Sequence, residues 1–305
     1  MVFDIHSHYI PLEIAENTAF FKEGWSDIDR QLSIMDKRHI EKALLLYPSS
    51  DAHIKMGGWD VVCRIYNQKI ADLVKKHGDR FIGAGIIYPF CLDELDIVSK
   101  IDNIRGLGLK AISLASSYEG IYLDDERFFP VYEYADREGM VIHVHPQIIS
   151  PIGEERVKDP LLTPVLEYMF DVSICISKMM ISGVFLKFPN VRFIFAHYGG
   201  VLPIVKERFD NTYIMLRKRK FVKDLFKLPG DYFKNLYFDT SGSKSQSSLM
   251  CALEMVGGGH ILFGSDLPAN QDVGGAIDMI ISSEISNESK ESILKKNFVF
   301  LFNNT

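Results

Sequence analysis

His6 and His8 stand one residue apart in "VFDIHSHYIP", near the start of the chain. Successive strand side chains point to opposite faces, so on a strand these two imidazoles share a face while Ile5 and Ser7 take the other. Two nitrogen donors on one face can grip a divalent ion, but they can equally be polar strand residues hydrogen-bonded to their neighbours. Other residues decide between the readings. His143 and His145 in "MVIHVHP", His197 in "VRFIFAHYGG" and Asp266 in "HILFGSDLP" also lie at or near the ends of short β-rich runs.

Elements that could bring these residues together recur along the whole chain. Strand-like runs occupy 2–8, 40–48, 80–89, 109–116, 140–146, 191–200, 235–242 and 260–268, which makes eight candidates. Between them lie stretches such as 59–78 and 128–140, with apolar residues at helical spacing and Gly at or near their ends. Strands that follow one another through helices run parallel, so the pattern predicts an α/β (β/α)8 TIM-like barrel. No linker-like stretch divides it, and residues 1–305 read as a single domain. One connection is long: 147–190, after the fifth strand, carries Pro151, Pro160 and Pro164 ahead of a helical run. It is an insertion on the active-site face, suited to a substrate lid and equally to a structural loop or an oligomer contact.

In such a barrel the strand C-termini converge on one mouth. His6 and His8 from strand one, His145 from strand five and Asp266 from strand eight then form a mixed nitrogen and oxygen site that leaves room for water on a metal. His143 shares the parity of His145 but lies deeper, as a residue hydrogen-bonding beneath the ligands. His197 precedes "YGG", where small residues allow close approach, and reads as a proton donor beside the metal ahead of a fifth ligand. Asp4 is expected to be a buried hydrogen-bonding residue. Asp239 in "YFDTSG" could enter the site, although a strand-end Asp more often caps the turn that follows. Lys110 begins strand four, so a carbamylated lysine bridging two metals is not expected there and a one-metal site follows. His39, His53, His77 and His260 carry no such placement. The basic run Arg217–Lys220 reads as a solvated helix end.

Composition narrows the class of function. A net charge of -6 and a hydrophobic content of 47% describe a globular chain without overall attraction to nucleic acid or anionic lipid. Cys63, Cys91, Cys175 and Cys251 are far apart, and are expected to be reduced core thiols. The N-terminus lacks the pattern of a signal peptide, and no stretch is apolar enough for a membrane span. A cytoplasmic enzyme with a small-molecule substrate fits; a homodimer is compatible with the same reading.

Four ordered motifs, "DIHSHYIP", "HVHPQ", "GVFLKFPNVRFIFAHYGG" and "ILFGSDLP", resemble the amidohydrolase superfamily. Within it they are similar to the amidohydrolase-related group that includes aminocarboxymuconate-semialdehyde decarboxylase. The resemblance spans nearly the whole chain. It implies a TIM-like barrel with one divalent metal, zinc ahead of manganese, held at the positions of His6, His8, His145 and Asp266, with His197 matching a catalytic histidine. It also implies a nonoxidative decarboxylase or a hydrolase of C–N or C–O bonds such as amides and lactones. The decarboxylase is the leading expectation, for a small aromatic or unsaturated carboxylate, with a phosphoesterase behind both. Decarboxylases of the group typically place an aromatic residue or Arg after the strand-five "HP", whereas this chain has Gln147; an amide there weakens the decarboxylase reading, because it supplies no cation for a carboxylate. Arg30 and Arg38 are the candidates for the arginine that holds the substrate carboxylate.

Overall fold

The computed structural model describes residues 1–90, 92–153 and 159–302. Its barrel strands are β1 (Val2–His8), β2 (Ile40–Leu46), β3 (Phe81–Gly85) and β4 (Ala111–Ala115). A two-stranded antiparallel hairpin, β5 (Ser117–Tyr118) with β6 (Ile121–Tyr122), follows before the barrel resumes. It continues with β7 (Val141–His145), β8 (Arg192–Phe195), β9 (Tyr237–Asp239) and β10 (Ile261–Leu262). The eight barrel strands lie in the order β1-β2-β3-β4-β7-β8-β9-β10, and each adjacent pair is parallel. Hydrogen bonds from Ile5 N to Phe263 O (2.9 Å), Asp266 N to His6 O (2.8 Å) and His8 N to Leu267 O (2.6 Å) join β1 to the chain of β10. Every predicted strand is present, β1 over its full predicted length and the others shortened at one or both ends.

Helices alternate with the strands as the apolar spacing requires. The predicted helices at 59–78 and 128–140 are Trp59–Lys76 and Phe129–Glu138, the second stopped by Gly139 in a left-handed conformation. Asp27, Asp93 and Asp272 each cap a helix start by accepting a backbone N–H. The connection between β7 and β8 contains the helices Tyr168–Ser182 and Val184–Lys187. The expected lid falls partly on residues 154–158, which lie outside the described residues.

The barrel interior has two layers. Its lower layer is apolar and draws on all eight strands: Ile5, Leu44, Ile82, Ala111, Val141, Ile194 and Leu262 pack together with Tyr237, closed below by Phe298, Leu301 and Phe302 of the last described helix. A bulge in β1 joins this layer to the polar one above. Asp4 is level with Ala43 and Ser7 with Leu45, so three steps of β1 oppose two of β2. The extra residue breaks the simple alternation expected for "DIHSH". Ile5 enters the apolar layer and does not share a face with Ser7, whose hydroxyl accepts a hydrogen bond from Gln31 of the neighbouring helix. Asp4 likewise leaves the parity of His6 and His8, as level pairing with Ala43 places it among the outward side chains.

The cysteines depart in part from expectation. Cys175 is buried, whereas Cys63 and Cys251 are half-buried; all three are free, and Cys91 lies outside the described residues. Arg217–Lys220 is an exposed helix end, with Arg217 paired to Asp224. Lys110 precedes β4, at the end of the barrel opposite the histidines.

Candidate metal centre

The upper layer of the barrel gathers the chemistry. One ligand atom each from His6, His8, His145 and Asp266 lies within 4.8 Å of the other three. His6 Nε2 is 2.9 Å from His8 Nε2, and Asp266 Oδ1 is 3.1 Å from His8 Nε2 and 3.4 Å from His6 Nε2. Around a zinc ion with nitrogen ligands at about 2.1 Å, neighbouring donors of a tetrahedron stand roughly 3.4 Å apart, so the four atoms converge on the scale of one ion. The histidines are buried, while the Asp266 side chain keeps 17% exposure, which places the open side of the cluster at that carboxylate.

Neighbouring groups fix how these imidazoles face. His6 Nδ1 donates to Asp239 Oδ2 at 2.8 Å and His145 Nδ1 donates to the Pro146 carbonyl at 2.9 Å. Both bonds leave the Nε2 lone pair for the cluster, the arrangement that orients metal-binding imidazoles. His8 Nδ1 is buried without a partner among the described residues. Burial holds His8 and His145 below the usual imidazole value, in the neutral form a metal requires. Burial opposes charge on His6 as well, but the carboxylates of Asp239 and Asp266 outweigh it and push the ring up to about 10. A metal entering the cluster therefore displaces a proton there.

Asp239 organises the layer from below. Its Oδ2 accepts from His6 Nδ1 and from His143 Nε2 (3.0 Å), and its Oδ1 accepts from the backbone N–H groups of His197 and Ser241 (both 3.0 Å) and from the Ser241 hydroxyl. Burial would raise this carboxyl, yet His6 and His143 hold it well below the ordinary carboxylate range. His6, His143 and Asp239 are close enough to be a second ligand group, but their atoms are committed to one another by these hydrogen bonds. His143 thus lies beneath the candidate ligands, bonded to Asp239, as its parity and depth imply. Asp239, read from the sequence chiefly as a turn cap, is the acceptor shared by residues of β1, β7 and the loops after β8 and β9.

His197 starts a short turn after β8 with φ of 55°, and Tyr198 follows at 57°; Asp266 has φ of 61°. Positive φ at non-glycine residues stores strain that the surroundings must hold, and His197 and Asp266 are among the residues that carry it. The small residues of "YGG" do not open space for a ligand: a Cβ on Gly200 would lie 2.1 Å from the Met169 carbonyl, so the glycine admits the backbone of the 168–182 helix.

Gln147 is enclosed, and both ends of its side-chain amide are hydrogen-bonded within the protein. Its amide donates to Ser117 O (2.7 Å) and accepts from Ile149 N (3.1 Å) and Ser49 Oγ (3.3 Å), tying together the loops after β2, β4 and β7. It is part of the scaffold, which removes the inference drawn from it about substrate charge. Nearby, buried Asp171 accepts from Ser116, Tyr122 OH (3.0 Å) and Ile152 N (3.1 Å) and anchors the start of the long connection. Of the two candidate arginines, Arg30 lines a recess with His8 and Trp25 and donates to Gln271 at 2.6 Å. Arg38 sits at the opposite end of the same helix, facing Gly274.

Fold and cluster together define a parallel β/α barrel with a buried, nitrogen-rich ligand group at its mouth. The chain belongs to the amidohydrolase family, whose Amidohydro_2 model matches residues 3–297. It is 28% identical over 233 residues to the 2-amino-3-carboxymuconate-6-semialdehyde decarboxylase of Dictyostelium discoideum, a match covering 76% of this chain and 63% of that relative, a little under two thirds of its length. It is 25% identical over 287 residues to the gamma-resorcylate decarboxylase of Polaromonas sp., covering 87% of this chain and 84% of the relative. Among solved structures, the 5-carboxyvanillate decarboxylase of Novosphingobium aromaticivorans, complexed with manganese, superposes with a TM-score of 0.85 at 20% identity, covering 99% of this chain and 96% of that one. Among the described residues, no helix is long and apolar enough to cross a membrane.

Proposed function

We propose that the chain is a metal-dependent, nonoxidative decarboxylase of a small aromatic or unsaturated carboxylate, working as a single barrel domain. Its divalent ion is held by His6, His8, His145 and Asp266. The observation that carries the reading is the convergence of these four donor atoms within 4.8 Å at the barrel mouth, in a family whose relatives named above are decarboxylases. When bound, the ion supplies a Lewis acid for oxygen atoms of the substrate. Zinc suits three imidazoles and one carboxylate, and the manganese in the carboxyvanillate enzyme supports manganese as the alternative.

The chain's own residues account for the rest. Arg30, beside His8, binds a substrate carboxylate or phenolate oxygen. His197 delivers a proton to the carbon that loses its carboxylate. The C–C electron pair stays on that carbon, CO2 departs, and the imidazole regains its proton from water. Asp266, the one partly exposed member of the cluster, faces the substrate and accepts a proton from water in the hydrolytic alternative. Exposed apolar side chains, including Leu161, Ile204, Phe221 and Phe226, are compatible with a homodimer. A cytoplasmic location belongs to the same reading.

The test is a panel of aromatic and unsaturated carboxylates alongside amides, lactones and phosphoesters. Metal-dependent CO2 release is expected from the first group; turnover of amides or lactones alone, with no CO2 from any carboxylate, would make the protein a hydrolase. In the same preparation His8→Ala should lose metal by elemental analysis, because one of few ligands is gone. His197→Asn should keep its metal and lose ~10²-fold in turnover, the scale of a lost proton-transfer group. Parallel loss of metal in that variant would make His197 a ligand.

A further inference from the structure

Ser241 stands between the carboxylate of Asp239 and two imidazoles. Its Oγ makes a short contact with Asp239 Oδ1, lies 2.8 Å from His197 Nδ1 and 3.0 Å from His6 Nδ1, and takes the His197 backbone N–H at 3.3 Å. A hydroxyl has one proton to give. An ionised carboxylate only accepts, and four other donors already hold Asp239 in that form, so the Ser241 proton points at Oδ1. The hydroxyl oxygen then faces His197 Nδ1 with a lone pair. A 2.8 Å contact between an acceptor and a second bare nitrogen would be repulsive, so Nδ1 carries a proton whatever the charge of the ring. The other ring nitrogen, Nε2, has no hydrogen-bond partner among the described residues.

The backbone keeps this geometry. Gly242 follows in a left-handed conformation, with φ of 76°, and a Cβ there would come within 2.8 Å of His197 Nδ1. A side chain would press against the nitrogen that Ser241 must reach. His197 itself is held from behind by its backbone bond to Asp239.

We propose that Ser241 is a positioning residue that locks His197 in the Nδ1–H tautomer, so that Nε2 is the ring atom exchanging protons at the mouth. The proposal rests on the reading of His197 as the proton-transfer group, and it assigns that group its reactive atom. Asp239, Ser241 and His197 form a relay of fixed polarity: the carboxylate orients the hydroxyl, the hydroxyl orients the imidazole, and neither Asp239 nor Ser241 touches substrate.

The tautomer can be read without any substrate. In protein labelled with 15N-histidine and loaded with zinc, the two-bond couplings of the resonances absent from His197→Asn should show Nδ1 protonated; a spectrum with Nε2 protonated and Nδ1 bare would overturn the proposal. Ser241→Ala should change that pattern to a mixture of tautomers, with metal content and KM unchanged and kcat lower by ~10-fold, and Ser241→Thr, which restores the hydroxyl, should recover both. A Ser241→Ala variant that keeps the wild-type tautomer overturns the proposal too. If the Nδ1–H pattern is found but no carboxylate releases CO2, the lock stands and the decarboxylase reading falls.

Discussion

Asp4 and Asp239 are both completely buried, both belong to barrel strands, and both lie within hydrogen-bond reach of His6, through its backbone or its ring, yet their surroundings drive them in opposite directions. Asp239 receives five donors spread over its two oxygens and is held well below the ordinary carboxylate range. At the β1–β10 seam, Asp4 receives the backbone N–H groups of His6 (3.0 Å) and Ser265 (2.9 Å) on Oδ1 alone, while Oδ2 is buried without a partner among the described residues. Burial dominates there and pushes the carboxyl up to about 7. Burial imposes the same kind of cost on both, and the number and charge of the facing donors decide whether the carboxylate stays ionised. The functional layer is where the chain has gathered enough donors to keep a negative charge in the interior.

Asp239→Asn tests that statement where the effect is largest. One amide orientation sets the NH2 against the ring N–H groups of His6 and His143; the other sets it against Ser241 and the His197 backbone. Donor meets donors either way, so we expect a loss of about 3 kcal/mol or more, the scale for breaking a buried hydrogen-bonded charge network. Metal content should fall with it, since His6 loses the acceptor that orients its ring. Thermal unfolding and elemental analysis measure both, and a variant with wild-type melting temperature and full metal would refute the hub role of Asp239.

Asp266→Asn should separate ligand from scaffold. Its side chain is 17% exposed and its close ion-pair contacts are to His6 and His8, so unfolding should shift little. Metal occupancy should drop, and turnover with it by ~10²-fold, as for loss of a group acting at the reacting centre. A fall in melting temperature matching that of Asp239→Asn would erase the distinction between the two carboxylates.

The contrast also explains what could be read from the sequence. The barrel was legible because strand-like and helical periodicities alternate through the whole chain, and the gathering of His6, His8, His145 and Asp266 at one mouth was legible because each lies at or near the C-terminal end of a predicted strand. Asp239 ends a strand too, but its importance depends on donors from β1, β7 and the loop after β8, and no local spacing reports them. Ser241 was hidden for the same reason: "DTSG" reads as a turn until the fold sets His197 against it. The bulge that separates Asp4 and Ile5 from simple alternation leaves no mark in "FDIHSH", because it is imposed by pairing with β2 on one side and β10 on the other. Gln147 shows the converse error, where position beside a ligand suggested contact with substrate while the side chain is consumed by three loops.

Asp4→Asn makes the same chemical change at the same burial and should have the smallest effect. The amide oxygen can replace Oδ1 and keep both backbone donors, and the NH2 then occupies the place of Oδ2, which has no partner among the described residues to lose. The substitution removes the cost of a carboxyl whose ionisation the site resists, and it adds a buried NH2 with no acceptor, a penalty of about 1–3 kcal/mol. At neutral pH these contributions oppose each other, because a carboxyl with a folded value of about 7 sits far above its unfolded value and ionises only at a cost to stability. We expect denaturant unfolding at pH 7 to place the variant within about 1 kcal/mol of wild type, a size typical of changes that neither open a cavity nor break a network. Metal content should be unchanged, since the His6 backbone keeps its acceptor. A loss comparable with that of Asp239→Asn would mean that Asp4 is held as a carboxylate by the seam, and that donor count does not separate the two sites.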